Sequence, residues 1–246
     1  MASIHTEYFK IRTSEINQLK CIQPHALIQL MQEASMQHTI SMKVSVWDLE
    51  AMNASWVLLK MQVNFYIFPT LNETVKVETF PSGIDGYFTY RDYYVYDGQN
   101  RLCATISSMW TLMNMENRKM MKIPDSFGSL IYDETDPLTR PNFKLLSLQT
   151  SEQTADVKVN YLHLDWNGHV NNVQYIKMIM ESLDPQVQAT QKIKSLDIQY
   201  KTEALLGQEL TILHQMETAY IIQHVIRDKH TGRDLILAKT EWVDIQ

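Results

Sequence analysis

Apolar side chains recur at helical spacing in two places, 148 residues apart. Leu27, Leu30, Met31 and Ala34 share one face of a predicted helix over residues 24–34. Val173, Ile176, Ile179 and Met180 share one face of a second over 172–182, which Leu183 continues just beyond it. Strand-like alternation follows each helix: Met61-Gln-Val-Asn-Phe65 corresponds to Leu196-Asp-Ile-Gln-Tyr200, at an offset of 135. Asn72-Glu73-Thr74-Val75 then matches Gly207-Gln208-Glu209-Leu210. The last strand of each half carries a tryptophan, Trp110 and Trp242, preceded by turn signals at Asp97-Gly98-Gln99-Asn100 and Asp228 to Gly232.

The chain therefore reads as two copies of strand, long helix and four meandering strands. A lone helix followed by antiparallel strands implies an α+β fold with the helix packed on one sheet face. The expected division is an N-terminal domain over 1–124, a Pro-punctuated linker over 125–152 and a C-terminal domain over 153–246.

Composition narrows the function classes. Apolar residues make up 45% of the 246, enough for a sizeable core, and the net charge of −6 argues against non-specific nucleic-acid binding. Cys21 and Cys103 are too few for a disulfide framework and have no metal-type spacing, so a reducing compartment is expected. Residues 1–10 carry no apolar signal core or transit-type composition, and no apolar run is long enough for a membrane span. The expectation is a soluble, cytoplasmic, bacterial protein.

Candidate chemistry gathers in Tyr161-Leu-His-Leu-Asp165-Trp-Asn167-Gly-His169-Val-Asn-Asn172-Val-Gln-Tyr175. A strand ending near Tyr161 runs into a polar loop, and Asn171 or Asn172 can cap the next helix. In an extended loop, Asp165, Asn167 and His169, two apart, point the same way just before a helix N-terminus. A carboxylate, an amide and an imidazole beside such N–H groups suit attack of water on an acyl carbonyl. In the first half the same positions are Asn17, Leu19 and Cys21, so the fold does not itself require the set.

This motif, with the following Glu181-Ser182, resembles the signature of the plant and bacterial acyl-ACP thioesterases. A second family motif is matched by Tyr200-Lys201-Thr202-Glu203-Ala204, where Glu203 takes the place of the family's glutamate and Ala204 that of its cysteine, which removes a cysteine nucleophile. His163 also departs, standing where many relatives carry an acid. The likeness extends through Trp56–Met61, Tyr66–Pro69, Glu73–Thr79, Arg91-Asp92 and Ser108–Asn114.

The resemblance implies two tandem hotdog domains, each a curved antiparallel sheet wrapped around a long helix. It implies hydrolysis of fatty acyl-acyl carrier protein to free fatty acid, with the acyl chain held by the N-terminal domain and the chemistry in the C-terminal one. Asp165, Asn167, His169 and Glu203 are then the catalytic set. Glu203 or Asp165 activates water or attacks directly, Asn167 orients, His169 bonds a carboxylate and protonates the leaving thiolate, and N–H groups over Val170–Asn172 hold the oxyanion. No cofactor and no metal are expected. The partner is acyl carrier protein, met through Arg118, Lys119 and Lys122 or through Lys192, Lys194 and Lys201, unless those are ordinary surface. A monomer of fused hotdogs or a homodimer are both compatible. The competing readings are an acyl-CoA thioesterase, a hotdog dehydratase and a non-catalytic acyl-binding hotdog protein. The methionines concentrated in the first half suit an adaptable acyl tunnel or simply a packed core.

Overall fold

A computed structural model describes residues 3–149, 151 and 153–245. Thr150 and Glu152, in the expected linker, lie outside the described residues, as do Met1, Ala2 and Gln246. The chain forms two compact units, Met1–Pro141 and Asn142–Gln246.

In the first unit, strand β1 (His5–Lys10) leads to helix α1 (Pro24–Ser41) and the short helix α2 (Val46–Glu50). Then come β2 (Ala54–Phe65), β3 (Thr74–Asp85), β4 (Phe88–Tyr96), β5 (Leu102–Asn114) and the two-residue β6 (Met120–Met121). The strands pair antiparallel in the order β1-β3-β4-β5-β2, with β6 on β5. Helix α1 packs on β1 and β3. It is longer than the apolar stripe predicted: Pro24 starts it at the position where a missing N–H costs nothing, and it continues past Ala34 to Ser41 with buried His38 on its inner side.

The second unit repeats this plan. Strand β7 (Gln153–Lys158), helix α3 (Asn172–Glu181) and helix α4 (Pro185–Thr190) precede β8 (Gln191–Tyr200), β9 (Glu209–Thr218), β10 (Ile221–Asp228) and β11 (Asp234–Asp244). Its order, β7-β9-β10-β11-β8, is that of the first unit strand for strand. The repeat extends to single bonds. Trp110 Nε1 donates to Ser108 Oγ at 2.8 Å, and Trp242 Nε1 donates to Thr240 Oγ1 at 2.7 Å. Each unit is thus the expected sheet-and-helix domain. One face of the second sheet is covered by Leu145 and Leu148, packed on Leu213, Val225 and Leu237.

On the other face a polar chain crosses the apolar layer. The Trp242 ring N–H donates to Thr240 Oγ1. Thr240 Oγ1 lies 2.8 Å from His224 Nε2, His224 Nδ1 lies 2.7 Å from His214 Nδ1, and His214 Nε2 lies 2.8 Å from Ser182 Oγ. Ser182 Oγ in turn donates to the Met178 carbonyl at 2.7 Å. A carbonyl is only an acceptor, so Ser182 spends its proton on Met178 and that end fixes the direction; the indole, only a donor, agrees with it. We assign the proton to Nδ1 of His224 and to Nε2 of His214. A second proton on His214 would set two N–H groups head to head, and one on His224 would meet the hydroxyl proton of Thr240.

Burial holds both imidazoles neutral, His214 down at about 4 and His224 well below its usual value. In the first unit, burial and the neighbouring Arg91 and His5 bring His38 to about 3. Unfolded histidine titrates near 6.5, so the unfolded chain takes up protons before the folded one does. Stability is expected to be full above pH 6.5 and to fall as the pH drops from there towards 4. Urea unfolding at pH 7.5, 6 and 5 reads this loss, and His214→Gln flattens it.

Candidate active site

The candidate residues lie in two backbone crossings of the second unit that hydrogen-bond to each other. The first runs from a 3-10 turn, Tyr161–His163, to the N-terminus of α3. Asn160 caps that turn, and its own N–H donates to His163 Nδ1 at 3.2 Å. In the first unit Glu15 accepts from the Arg12 N–H in the same way, at 2.8 Å. His163 therefore does here what a carboxylate does there.

Between this turn and α3 the chain is not extended, as the alternation of Asp165, Asn167 and His169 suggested. It closes into a tight turn. Asp165 Oδ1 accepts the N–H of Asn167 at 2.8 Å and of His169 at 3.2 Å. The Asp165 N–H donates to the His169 carbonyl at 2.8 Å, and Gly168 takes φ +75°. Asn17 makes the corresponding bonds in the first unit, to the N–H groups of Leu19 at 3.0 Å and Cys21 at 3.2 Å. The fold thus demands a side-chain oxygen at position 165 but not a charge, and demands neither the amide of Asn167 nor the imidazole of His169.

Beyond the turn, Asn171 caps α3 by accepting the Val173 N–H at 2.9 Å. The N–H groups expected to hold an oxyanion over Val170–Asn172 are in large part already used. Val170 donates to the Ala204 carbonyl and Asn171 to the His163 carbonyl, because both sit in the bridging backbone and not in the helix. That leaves the N–H of Asn172, the first residue of α3. Its counterpart 148 residues earlier is Pro24, which has none.

The second crossing follows β8. Lys201 and Thr202 donate to the Leu235 carbonyl, and Leu205 donates to Gln208 Oε1 at 2.6 Å. Val170 bonds Ala204, and His169 bridges Leu205. This brings Glu203 beside His169, with Oε2 at 3.5 Å from Nε2. Both side chains are partly exposed, 19% for His169 and 35% for Glu203. Asp165 and Glu203 both lie close enough to the buried Tyr175 phenol to raise its pKa, although burial is the main cause. The structure therefore brings Asp165, His169 and Glu203 around one place, with Asn167 at the exposed tip of the turn.

In the first unit the bridges Ile16–Ile22 and Cys21–Thr70 correspond to Leu164–Val170 and His169–Leu205, at offsets of 148 and 135. By the same offsets Glu203 falls on Phe68, so imidazole and carboxylate are replaced by a thiol and a phenyl ring. The prediction from sequence overlooked Tyr175, whose hydroxyl accepts the Ala204 N–H at 2.7 Å. The signal was present: the repeat aligns Tyr175 with Leu27 and Ala204 with Pro69. Among the described residues no group of three or more His, Cys, Asp or Glu is arranged to hold a metal ion, and no helix is long and apolar enough to cross a membrane.

Comparison with known proteins converges on one family. The family model for the acyl-ACP thioesterase N-terminal domain matches residues 2–131, and that for the C-terminal domain matches residues 146–244. The chain is 29% identical over 261 residues to a chloroplastic palmitoyl-acyl carrier protein thioesterase of Cuphea hookeriana, covering 97% of this chain and 62% of the relative. A chloroplastic palmitoyl-acyl carrier protein thioesterase of Arabidopsis thaliana is 27% identical, with 97% of this chain and 64% of the relative covered. The chain thus spans about three-fifths of the length of these curated relatives. Among solved structures, a 12:0-ACP thioesterase from Umbellularia californica has TM-score 0.90 at 23% identity, covering 98% of each chain. An acyl-ACP thioesterase from Bacteroides thetaiotaomicron has TM-score 0.89 at 21% identity, again covering 98% of each. These two show the tandem hotdog fold.

The role of Asp165 in the turn can be tested apart from activity. Asp165→Asn keeps the acceptor oxygen, as Asn17 does, and is expected to leave the thermal midpoint nearly unchanged. Asp165→Ala leaves two N–H groups without their acceptor and is expected to cost about 1–2 kcal/mol in urea unfolding. Equal stability of the two variants would refute the turn-closing role.

Proposed function

Because the chain belongs to the acyl-ACP thioesterase family, we propose that it hydrolyses fatty acyl-acyl carrier protein to free fatty acid and the holo carrier. The observation that carries this reading is the His169–Glu203 pair, 3.5 Å apart, present in one copy of a repeated backbone and replaced by Cys21 and Phe68 in the other. A residue pair that the fold can do without is there for chemistry.

Glu203 is the general base. Asp165 has one carboxylate oxygen tied to two backbone N–H groups, whereas Glu203 faces the imidazole at the partly open side. Glu203 takes a proton from water as its oxygen attacks the thioester carbonyl carbon. The carbonyl oxygen becomes an oxyanion, stabilised by the Asn172 N–H at the positive end of α3. The C–S bond then breaks, and the thiolate leaves as a thiol with a proton from His169, which Glu203 replenishes. Asn167 orients the water or the thioester, and Asp165 keeps the turn that carries Asn167 and His169 closed. Ala204 offers no thiol, so the route uses no cysteine nucleophile.

In this reading the C-terminal domain, residues 153–246, does the chemistry. The N-terminal domain, residues 1–124, takes the acyl chain, since its own crossing has lost the polar groups. Two free cysteines fit a reducing compartment such as the cytoplasm. The fused pair of domains acts as a monomer or as a homodimer of such units.

Hydrolysis of acyl-ACP and acyl-CoA thioesters of graded chain length tests the assignment. Acyl-ACP is expected to turn over, and Glu203→Ala and His169→Ala are each expected to lose at least about 100-fold in kcat. If the wild-type chain cleaves neither carrier while still binding fatty acid, the hydrolase reading fails.

A further inference from the structure

We propose that Tyr175 is a positioning residue for Glu203: its phenol oxygen, by accepting the Ala204 N–H at 2.7 Å, fixes the segment that carries the carboxylate against the first turns of α3. This rests on the reading of Glu203 as the base.

Ala204 is fully buried, so water cannot satisfy its N–H, and Tyr175 is 1% exposed. The Tyr175 ring stands edge-on to Tyr200 at 6.3 Å between centroids. The Tyr200 hydroxyl donates to the Asn172 carbonyl at 3.3 Å. Two tyrosines, one on α3 and one at the end of β8, thus fasten the start of the helix to the strand that leads to Glu203.

The repeat supplies the control. At the equivalent places the first domain has Leu27, Phe65 and Pro69. Leucine has no hydroxyl and proline no N–H, so donor and acceptor are missing together. The neighbouring tie is kept in both copies: Val170 N–H to Ala204 carbonyl at 3.0 Å, and Ile22 N–H to Pro69 carbonyl at 2.8 Å. The crossing therefore closes without the phenol, and the extra bond occurs where Glu203 replaces Phe68. Burial, with Glu203 and Asp165 nearby, keeps the proton on the phenol oxygen. Tyr175 is then not a base. The bond from Ala204 uses its oxygen as an acceptor.

The test compares Tyr175→Phe, Ala204→Pro and the double variant. Proline at 204 copies the first domain and deletes the N–H while leaving the phenol. Each single variant is expected to lose about 10- to 100-fold in kcat on acyl-ACP with KM unchanged, as displacement of a catalytic group does. The double variant is expected to lose no more than either alone, because one bond has been removed by two routes. The acid limb of the kcat–pH profile is expected to move in Tyr175→Phe, which a purely structural effect would not produce. Wild-type kcat in Tyr175→Phe, or losses that multiply in the double variant, overturns the proposal. Hydrogen exchange at the Ala204 amide needs no substrate. Protection in the wild type and its loss in Tyr175→Phe support the clamp even if Glu203 proves not to be the base, and unchanged protection overturns it.

Discussion

One side-chain oxygen closes the turn on which the site depends. Asp165 Oδ1 gathers the N–H groups of Asn167 and His169 and turns the chain back on itself, so that the His169 carbonyl meets the Asp165 N–H. With the turn closed, Val170 can reach the Ala204 carbonyl, and His169 comes to lie against Leu205. Only then is Glu203, two residues before Leu205, a neighbour of the imidazole. The first domain builds the same crossing from Asn17, with no chemistry attached. A neutral oxygen suffices for the backbone.

The duplication separates two kinds of requirement that a single copy would confuse. What both halves keep is scaffold: the acceptor at the head of the turn, the paired bridges, and the tryptophan bonded to a hydroxyl two residues before it. What one half keeps alone is His169, Glu203, Asn167, the Tyr175–Ala204 bond and a backbone N–H at the first helical position. Each of these has a counterpart in the first domain that cannot do its job: Cys21, Phe68, Leu19, Leu27 with Pro69, and Pro24. Five changes in one place leave the topology untouched, because none of them removes a backbone-to-backbone bond: the N–H groups absent at Pro24 and Pro69 have no backbone acceptor in the second domain either.

Much of this was legible in the sequence. Apolar spacing located both helices, and the alternation and turn residues located the strands, since helical and extended segments impose different periods. The Asp-x-Asn-x-His run and the later glutamate named the candidate residues. Their geometry was not legible. Spacing by two suggested an extended loop, but Asp165 can bond backbone two and four residues ahead, and that local competition wins. The expected oxyanion donors at Val170 and Asn171 turned out to serve the Ala204 and His163 carbonyls, pairings that no residue periodicity reveals. Tyr175 belonged neither to the helix's apolar face nor to the catalytic set, and only the repeat, which puts Leu27 and Pro69 where Tyr175 and Ala204 stand, gives its hydroxyl a meaning.

The partial exposure of His169 and Glu203 explains why so much of the local structure is devoted to holding backbone. A carboxylate and an imidazole open to solvent gain little from each other, and such a pair does not fix its own geometry. Burying them would restrict access for water and for an acyl thioester. The alternative is to leave the reacting side chains half-open and immobilise what lies on either side of them. The segment around Glu203 is held at Lys201, Thr202, Ala204 and Leu205, and His169 is held through both its N–H and its carbonyl. Precision then comes from bonds to the main chain, while the carboxylate and imidazole stay where a substrate can reach them.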